Sequence, residues 1–140
     1  MSKLNSRLYC LRKLKSFNVD HSVLSLFYCS VITSIFTYCI VCWGGSASEQ
    51  DKKKINGIIK KSGYVIGDHQ LPRLNSFYQS CLHRKFNSVL NDPSHPLYDD
   101  LSGSIIGRSG RMRCPAALTN RYKHTFVPMA ISYINSISTR

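Results

Sequence analysis

Two adjacent carboxylates in the stretch "NDPSHPLYDD" are the first candidates for chemistry. Asp99 and Asp100 follow directly after Tyr98. A pair of aspartates beside an aromatic residue can hold the two metal ions of phosphoryl transfer, but such a site needs a further carboxylate from a separate element. Pro93 and Pro96 indicate a turn between helices, with no strand pair around the acids. We therefore expect no metal site and no catalysis here.

Other catalytic patterns fail as well. In the polymerase pattern of an aromatic residue, any residue and two aspartates, the aromatic position falls on Leu97. The upstream Asp20, Asp51 and Asp68 stand in capping or helix-terminal contexts. No P-loop, G-x-G-x-x-G loop or His-x-Asp iron motif is present. The sequence thus predicts a chain that is not an enzyme and carries no cofactor.

The cysteines do not indicate metal or redox chemistry. The "CIVC" pair, Cys39 and Cys42, closes a long apolar segment, whereas a thioredoxin-type pair opens a helix after a strand. Zinc would need a second pair at similar spacing, and the chain has none. An even count of six cysteines would suggest disulfides in a small secreted protein, but three of them lie inside one apolar run and the N-terminus has no signal-peptide pattern. These two observations favour reduced thiols in an intracellular protein, nuclear or cytoplasmic.

The charge is the most informative feature of the composition. The chain has 140 residues, 43% of them hydrophobic, and 19 Lys plus Arg against 7 Asp plus Glu give a net charge of +12. Such a surface attracts polyanions, so the expected partner is nucleic acid or the anionic face of a membrane. Of the two we expect the backbone of RNA or DNA, bound without sequence preference. A solvated basic face without a partner is the alternative. The candidate contact residues are Lys52, Lys53, Lys54, Lys60, Lys61, Arg108, Arg111 and Arg113.

Hydrophobic periodicity predicts an all-α fold, a small bundle of about four to five helices, with residues 1–90 as its helical-bundle domain. Leu4, Leu8, Leu11 and Leu14 recur at helical steps, and isoleucines recur in the same way through residues 49–66. A break over residues 67–72 precedes a further helix over 74–90. Residues 91–140 form a loop-rich, basic C-terminal segment with a short final helix after Pro128.

Residues 23–43, "VLSLFYCSVITSIFTYCIVCW", are long enough to span a bilayer. Recurrent Ser and Thr weaken that interpretation, and basic residues flank both sides. The i+4 stack of Phe27, Val31, Ile35 and Cys39 is instead typical of a core helix. A membrane span therefore stays the alternative to a buried helix.

Local signals predict how the helices begin and end. Asp20 is well placed to cap a helix through its carboxylate, and Ser46 with Glu49 fits a capping box. Gly44 and Gly45 suit a helix C-terminus closed by a left-handed residue.

Five blocks in order give the chain a family resemblance: "RLYCLRKLKSFNV", "LSLFYCSVITSIFTYCIVCWGG", "IIKKSGYVIG", "DPSHPLYDDL" and "RYKHTFVPMAISYIN". Together they resemble the thumb-like region downstream of the catalytic palm in reverse transcriptases of non-LTR retrotransposons. The resemblance implies a helical region that holds nucleic acid beside a palm domain, which would lie before Met1 and would be a further partner. "PSHPLYD" is not catalytic in that family, and "RSGRMR" departs from its pattern.

A second resemblance overlaps the first. Residues 11–45 also resemble the short helical N-terminal domain of a tRNA-modifying AlkB-type homologue, a family with methyltransferase and 2-oxoglutarate-dependent dioxygenase activity. The dioxygenase needs a His-x-Asp and distal His triad on a β-barrel, and the methyltransferase needs a glycine-rich nucleotide loop. Because both motifs are absent, only the helical segment is comparable and neither activity is expected here.

Overall fold

A computed structural model describes residues 2–106 and 111–138 of the chain. The predicted all-α class is confirmed, and short helices bring the helix count above the expected four to five. The helical elements in chain order are α1 (Ser2–Ser16), α2 (His21–Phe27), a π-helical segment (Tyr28–Thr33), α3 (Ser34–Thr37), α4 (Ile40–Trp43), α5 (Glu49–Ile66), α6 (Leu74–Leu90), α7 (Tyr98–Ser102), α8 (Asn120–Lys123) and α9 (Phe126–Ser138). β1 (Ile105–Ile106) pairs antiparallel with β2 (Arg111–Met112).

The chain divides into two compact units. The first unit comprises Met1–Ile40 with Ala47–Phe77, and the second comprises Val41–Ser46 with Tyr78–Arg140. The division that we expect at residue 90 rests on composition and stays a prediction.

In the first unit, α1 packs against α5 and against the π-helical segment. The leucine periodicity that predicts α1 also identifies its inner face, since Leu4, Leu8 and Leu11 are buried and Leu14 is half-buried. The N-cap of α2 is Asp20 as predicted, because its carboxylate accepts the backbone N–H of Ser22 at 2.9 Å. The hydrogen bonds from Ser22 lower the pKa of the Asp20 carboxyl.

The apolar segment buries a different face from the one we expect. Phe27, Val31 and Ile35 are half-buried and Cys39 is exposed, so this prediction is wrong. The core residues stand one position further along and are Leu24, Tyr28, Ile32, Phe36 and Ile40. Both sets have i+4 spacing, so periodicity could not choose between them.

The π-helical segment explains how a strict four-residue spacing keeps to one face. Four residues of α-helix advance about 400°, so such a stripe drifts by about 40° at each step. The wider π turn, with its i→i+5 hydrogen bonds, advances less per residue and reverses part of the drift. Tyr28 and Ile32 lie within this segment, and Leu24 and Phe36 lie on either side of it.

The junction into α5 differs from the predicted capping box. Ser48, not Ser46, is the N-cap, since the Ser48 hydroxyl oxygen accepts the backbone N–H of Asp51 at 3.1 Å and donates to the Asp51 carboxylate at 2.7 Å. Ser46 donates its hydroxyl to the carbonyl of Trp43 at 3.0 Å. Both serines are followed three residues later by an acid, so the motif fits twice.

The left-handed residues are also elsewhere than expected. Gly44 and Gly45 do not have positive φ, whereas Gly67, at the C-cap of α5, has φ 94°. Gly45 serves a different need in the second unit: a Cβ there would stand 2.7 Å from the carbonyl oxygen of His124 and 3.1 Å from the Tyr78 hydroxyl. Close approach, rather than chain reversal, therefore requires glycine at residue 45.

In the second unit, α9 packs against β2, α7 and α8. The Asn135 side chain donates to the carbonyl of Met112 at 2.8 Å and accepts its N–H at 2.9 Å, so it pairs with β2 as a neighbouring strand would. Helix α6 covers the predicted residues, but α9 begins at Phe126, before Pro128. Proline is tolerated in a first helical turn, where an N–H has no intrahelical acceptor.

Candidate nucleic-acid interface

The two acids of "NDPSHPLYDD" lie in the first turn of α7, where both are exposed. Carboxylates are favourable at this end of a helix because of its dipole. The turn before them is built by Asp92, whose carboxylate accepts the Ser94 N–H at 3.0 Å, and the Ser94 hydrogen bonds lower the pKa of this carboxyl. Among the described residues, no group of three or more His, Cys, Asp or Glu could hold a metal ion.

The lysines of α5 fall into two sets. Lys52 Nζ lies 2.9 Å from a carboxylate oxygen of Glu49, and Lys54 Nζ lies 3.8 Å from one of Asp51. The hydrogen bond and the charge of Lys52 lower the pKa of the Glu49 carboxyl. Two of the five lysines are thus engaged by the acids of the first turn.

Lys53 and Lys60 form the second set. They stand seven residues apart, nearly two full turns, and therefore share one helix face. Both are exposed, and both line a groove of about 690 Å³ beside α5. Lys61 is also exposed, but it lies about 100° further around the helix and does not line this groove.

The other wall of the groove is the connection between α5 and α6. Gly67 lets the chain reverse, and the N–H groups of Gly67 and Asp68 both donate to the carbonyl of Gly63, at 2.8 and 3.0 Å. A Cβ on Gly63 would collide with the carbonyl oxygen of Asp68. Glycine at residue 63 therefore lets residues 67–73 return along α5, and Asp68, His69 and Arg73 line the groove.

A tertiary hydrogen bond fixes the far end of this wall. The Asn56 side-chain oxygen accepts the backbone N–H of Leu74, the first residue of α6, at 2.9 Å. This N–H has no acceptor within its own helix. An α5 side chain thus caps α6, and both Asn56 and Arg73 border the groove. We call this site the α5 groove and define it by Lys53, Asn56, Lys60, Tyr64, Asp68, His69 and Arg73.

An aromatic pair lies beside the cations. Tyr64 is 61% exposed although it lines the groove. Its ring contacts the imidazole of His69 edge to face, with centroids 5.0 Å apart, and Lys60 Nζ lies 5.9 Å from the Tyr64 centroid. The α5 groove therefore combines three cations and one carboxylate with an accessible aromatic ring.

The two arginine candidates that the structure describes, Arg111 and Arg113, do not line the α5 groove. Arg111 belongs to β2, Arg113 follows it, and both are exposed. The N–H of Arg113 donates to the carbonyl of Ser104 at 2.6 Å, which extends the hairpin ladder by one bond. Arg108 lies outside the described residues. Arg111 and Arg113 both belong to the second unit.

Sequence reasoning missed Tyr64, His69 and Arg73. A signal for the tyrosine was present, since Lys53, Gly57, Lys60 and Tyr64 follow the helical i, i+4, i+7, i+11 spacing on the polar side of α5. The periodicity that predicts α5 is that of its isoleucines, which lie on the apolar side of the helix and do not include Tyr64. His69 and Arg73 gave no such signal, because their position depends on the chain reversal at Gly67. The chain matches no protein-family model, no curated protein and no solved structure.

Proposed function

We propose that this chain binds the backbone of RNA or DNA through the α5 groove, without sequence preference and without performing chemistry. The observation that carries the proposal is the position of Lys53, Lys60 and Arg73 around one groove. The ion pairs formed by described residues of α5 use Lys52 and Lys54 instead. Ammonium and guanidinium groups that are not neutralised by carboxylates are the groups that contact phosphates.

The charge of the whole chain supports the same proposal. A net charge of +12 raises the local concentration of polyanions and accelerates their association. The resemblance to the post-palm region of non-LTR reverse transcriptases is consistent with it, because that region holds nucleic acid. In this proposal a palm domain would be the protein partner, and the chain itself would hold the strand.

The test is the salt dependence of binding to a short labelled single strand. Each phosphate contact on single-stranded nucleic acid contributes about 0.7 to the slope of log K against log salt. We therefore expect Lys53→Gln with Lys60→Gln to lower that slope by about 1.4.

The matched control is Lys3→Gln with Lys15→Gln, which removes the same charge from exposed positions of α1. The control should leave the slope near its wild-type value. Equal losses of slope in the two double variants would show that the charge acts diffusely, and would contradict a site in the α5 groove. A wild-type chain that is not retained on RNA or DNA at low salt would overturn the proposed function.

The second candidate function is a single-pass membrane protein. His21–Trp43 is long and apolar enough to cross a bilayer, with a mean hydropathy of 1.9, and 28% of an 18-residue window within it is buried within the chain. Hydroxyls within it donate to backbone carbonyls, as Ser30 does to Leu26 at 2.7 Å.

The backbone of this segment favours a helix packed within the protein over a helix that spans a membrane. Tyr38 has ψ 120° and Cys39 has φ 48°, so the helix is interrupted there. An interrupted helix is unfavourable in lipid, where the backbone of a spanning segment must satisfy its hydrogen bonds internally. A carbonate wash of expressing cells separates the two functions: retention in the membrane pellet would support the span, and recovery in the soluble fraction would eliminate it.

A further inference from the structure

Tyr64 is the feature of the α5 groove that phosphate binding does not explain. A tyrosine ring has no charge to offer a phosphate, and water is a poor environment for its apolar face. Yet this ring is 61% exposed, and it lines the groove with Lys53 and Lys60. His69 contacts it edge to face at 5.0 Å and so supports one position of the ring.

An exposed aromatic ring between cations is a surface on which a nucleobase can stack. Stacking requires an unpaired base, because the faces of the bases in a duplex are covered by their neighbours. The Lys60 ammonium lies over one face of this ring, 5.9 Å from the centroid, at the outer limit of a cation–π contact. Because the Lys60 side chain is exposed, it can move aside from that face when a base stacks there.

Asp68 makes the α5 groove chemically asymmetric. It is the one carboxylate among the described lining residues, and Tyr64 and His69 line the same groove. One Asp68 carboxylate oxygen already accepts the N–H of Gln70 at 2.9 Å. A carboxylate repels phosphate but accepts hydrogen bonds from base N–H groups. The end of the groove near Asp68 therefore suits a base better than a phosphate.

We propose that the α5 groove takes a single-stranded segment, with one unpaired base stacked on Tyr64 and the adjoining phosphates held by Lys53, Lys60 and Arg73. This inference rests on the proposed function and names its ligand class as single-stranded rather than duplex nucleic acid. Ribose and deoxyribose strands share the chemistry that it uses.

The chain contains its own control for this tyrosine. Tyr9 on α1 is 60% exposed, and Lys13 Nζ lies 5.8 Å from its ring centroid. These values nearly equal those of Tyr64 and Lys60, but Tyr9 does not line the groove. A variant at Tyr9 thus removes the same side chain, with the same exposure and the same cationic neighbour, from a different surface.

The experiment measures the affinity of the full chain for labelled oligouridylate, oligodeoxythymidylate, an abasic strand of equal length and a blunt duplex. Tyr64→Ala should weaken binding of the two base-carrying single strands by about 5- to 150-fold, the range for one stacked base. Binding of the abasic strand and the duplex should change less than twofold. Tyr64→Phe should keep wild-type affinity, and Tyr9→Ala should not weaken binding of any probe.

Each outcome separates this inference from the proposed function. If Tyr64→Ala leaves single-strand affinity unchanged while Lys53→Gln with Lys60→Gln lowers it, the stacking inference fails and backbone binding stands. Equal losses on the abasic strand would also overturn stacking. If the wild-type chain binds none of the probes, both fail. The oligouridylate and oligodeoxythymidylate affinities distinguish RNA from DNA as the source of the strand, and thermal melting of each variant verifies its fold.

Discussion

Helices α1 and α5 have nearly the same surface chemistry, yet only one of them borders the groove. They pack against each other in the first unit, and each carries five cationic residues. Each also presents an exposed tyrosine with a lysine ammonium less than 6 Å from its ring. Composition and side-chain pairing therefore do not make the site. The second wall does, and only the chain that follows α5 supplies it.

The difference arises where each helix ends. After α1, Asn18 takes φ 54° and Asp20 caps α2, so that residues 17–20 form the whole connection. After α5, residues 67–73 run back along the helix, because Gly67 allows the reversal and Gly63 allows the close approach of Asp68. Two glycines thus turn a basic helix into one side of a groove.

Of the substitutions considered, Gly63→Ala should disturb the second wall of the groove most strongly. The new Cβ would collide with a backbone carbonyl, which cannot move as the end of a side chain can. We expect the free energy of unfolding to fall by about 1–3 kcal/mol, the usual cost of overpacking. The folded fraction should also bind single strands more weakly, since the second wall is displaced. Denaturant unfolding and binding anisotropy measure the two effects.

Gly57→Ala is the matched control for that substitution. It adds the same methyl group to the same helix, but a Cβ at residue 57 would meet no atom within 4 Å. Alanine is the better helix former, so stability should rise by about 0.5–1 kcal/mol. Equal destabilisation by both alanines would show that an added methyl group is unfavourable anywhere on this helix, and would contradict the close approach of Asp68 as the cause.

Asn56→Ala should loosen the second wall of the groove without introducing a steric collision. The Leu74 N–H would lose its acceptor, and loss of an N-cap bond costs about 1 kcal/mol. Hydrogen exchange at the Leu74 amide should accelerate, and groove binding should weaken less than in Gly63→Ala. Asn56→Asp retains an acceptor oxygen and should restore the slow exchange. If exchange stays slow in the alanine variant, the capping role is contradicted.

The smallest expected effect is on the stability at acidic pH. The first turn of α5 contains Glu49 and Asp51, whereas that of α1 contains no acidic residue. Lys52 holds the pKa of the Glu49 carboxyl below its ordinary value. Because the folded-state pKa is lowered, the Glu49 carboxylate stabilises the fold at neutral pH. This contribution to stability is lost as the pH falls from about 4.3 through the lower folded-state value. Glu49→Gln should lower the stability slightly at neutral pH and flatten the stability profile in that window, while the slope of the profile above pH 6 stays unchanged. An unaltered acid profile would contradict the pairing with Lys52.

The parts that could be predicted from the sequence depend on local physics. Leucine spacing located α1 and its inner face, and Asp20 identified the start of α2. The break at residues 67–72 gave α6 its bounds. Each of these features is determined by a few residues that are neighbours in the sequence.

The parts that could not be predicted depend on the tertiary structure. The apolar segment has two i+4 stripes, and only the π-helical segment and its packing select the one with Tyr28 and Ile32. The groove needs residues 67–73 to return along α5, and no local pattern brings Arg73 or His69 beside Lys60. The charge of α5 was visible in the sequence, but the sequence does not show which of its lysines form ion pairs with other described residues.

The π-helical segment has a consequence for the length of the chain. Deleting one residue between Tyr28 and Thr33 would let this stretch relax to ordinary α-helix, which costs less locally. Phe36 would still lie near the face of Leu24, because the eleven α-helical steps that would then separate them advance about 1100°, within about 20° of three full turns. The segment therefore holds one residue more than an α-helix needs to join the same two faces. The chain should tolerate the loss of that residue better than the loss of one from a regular helix such as α5, where everything that follows would rotate by about 100°.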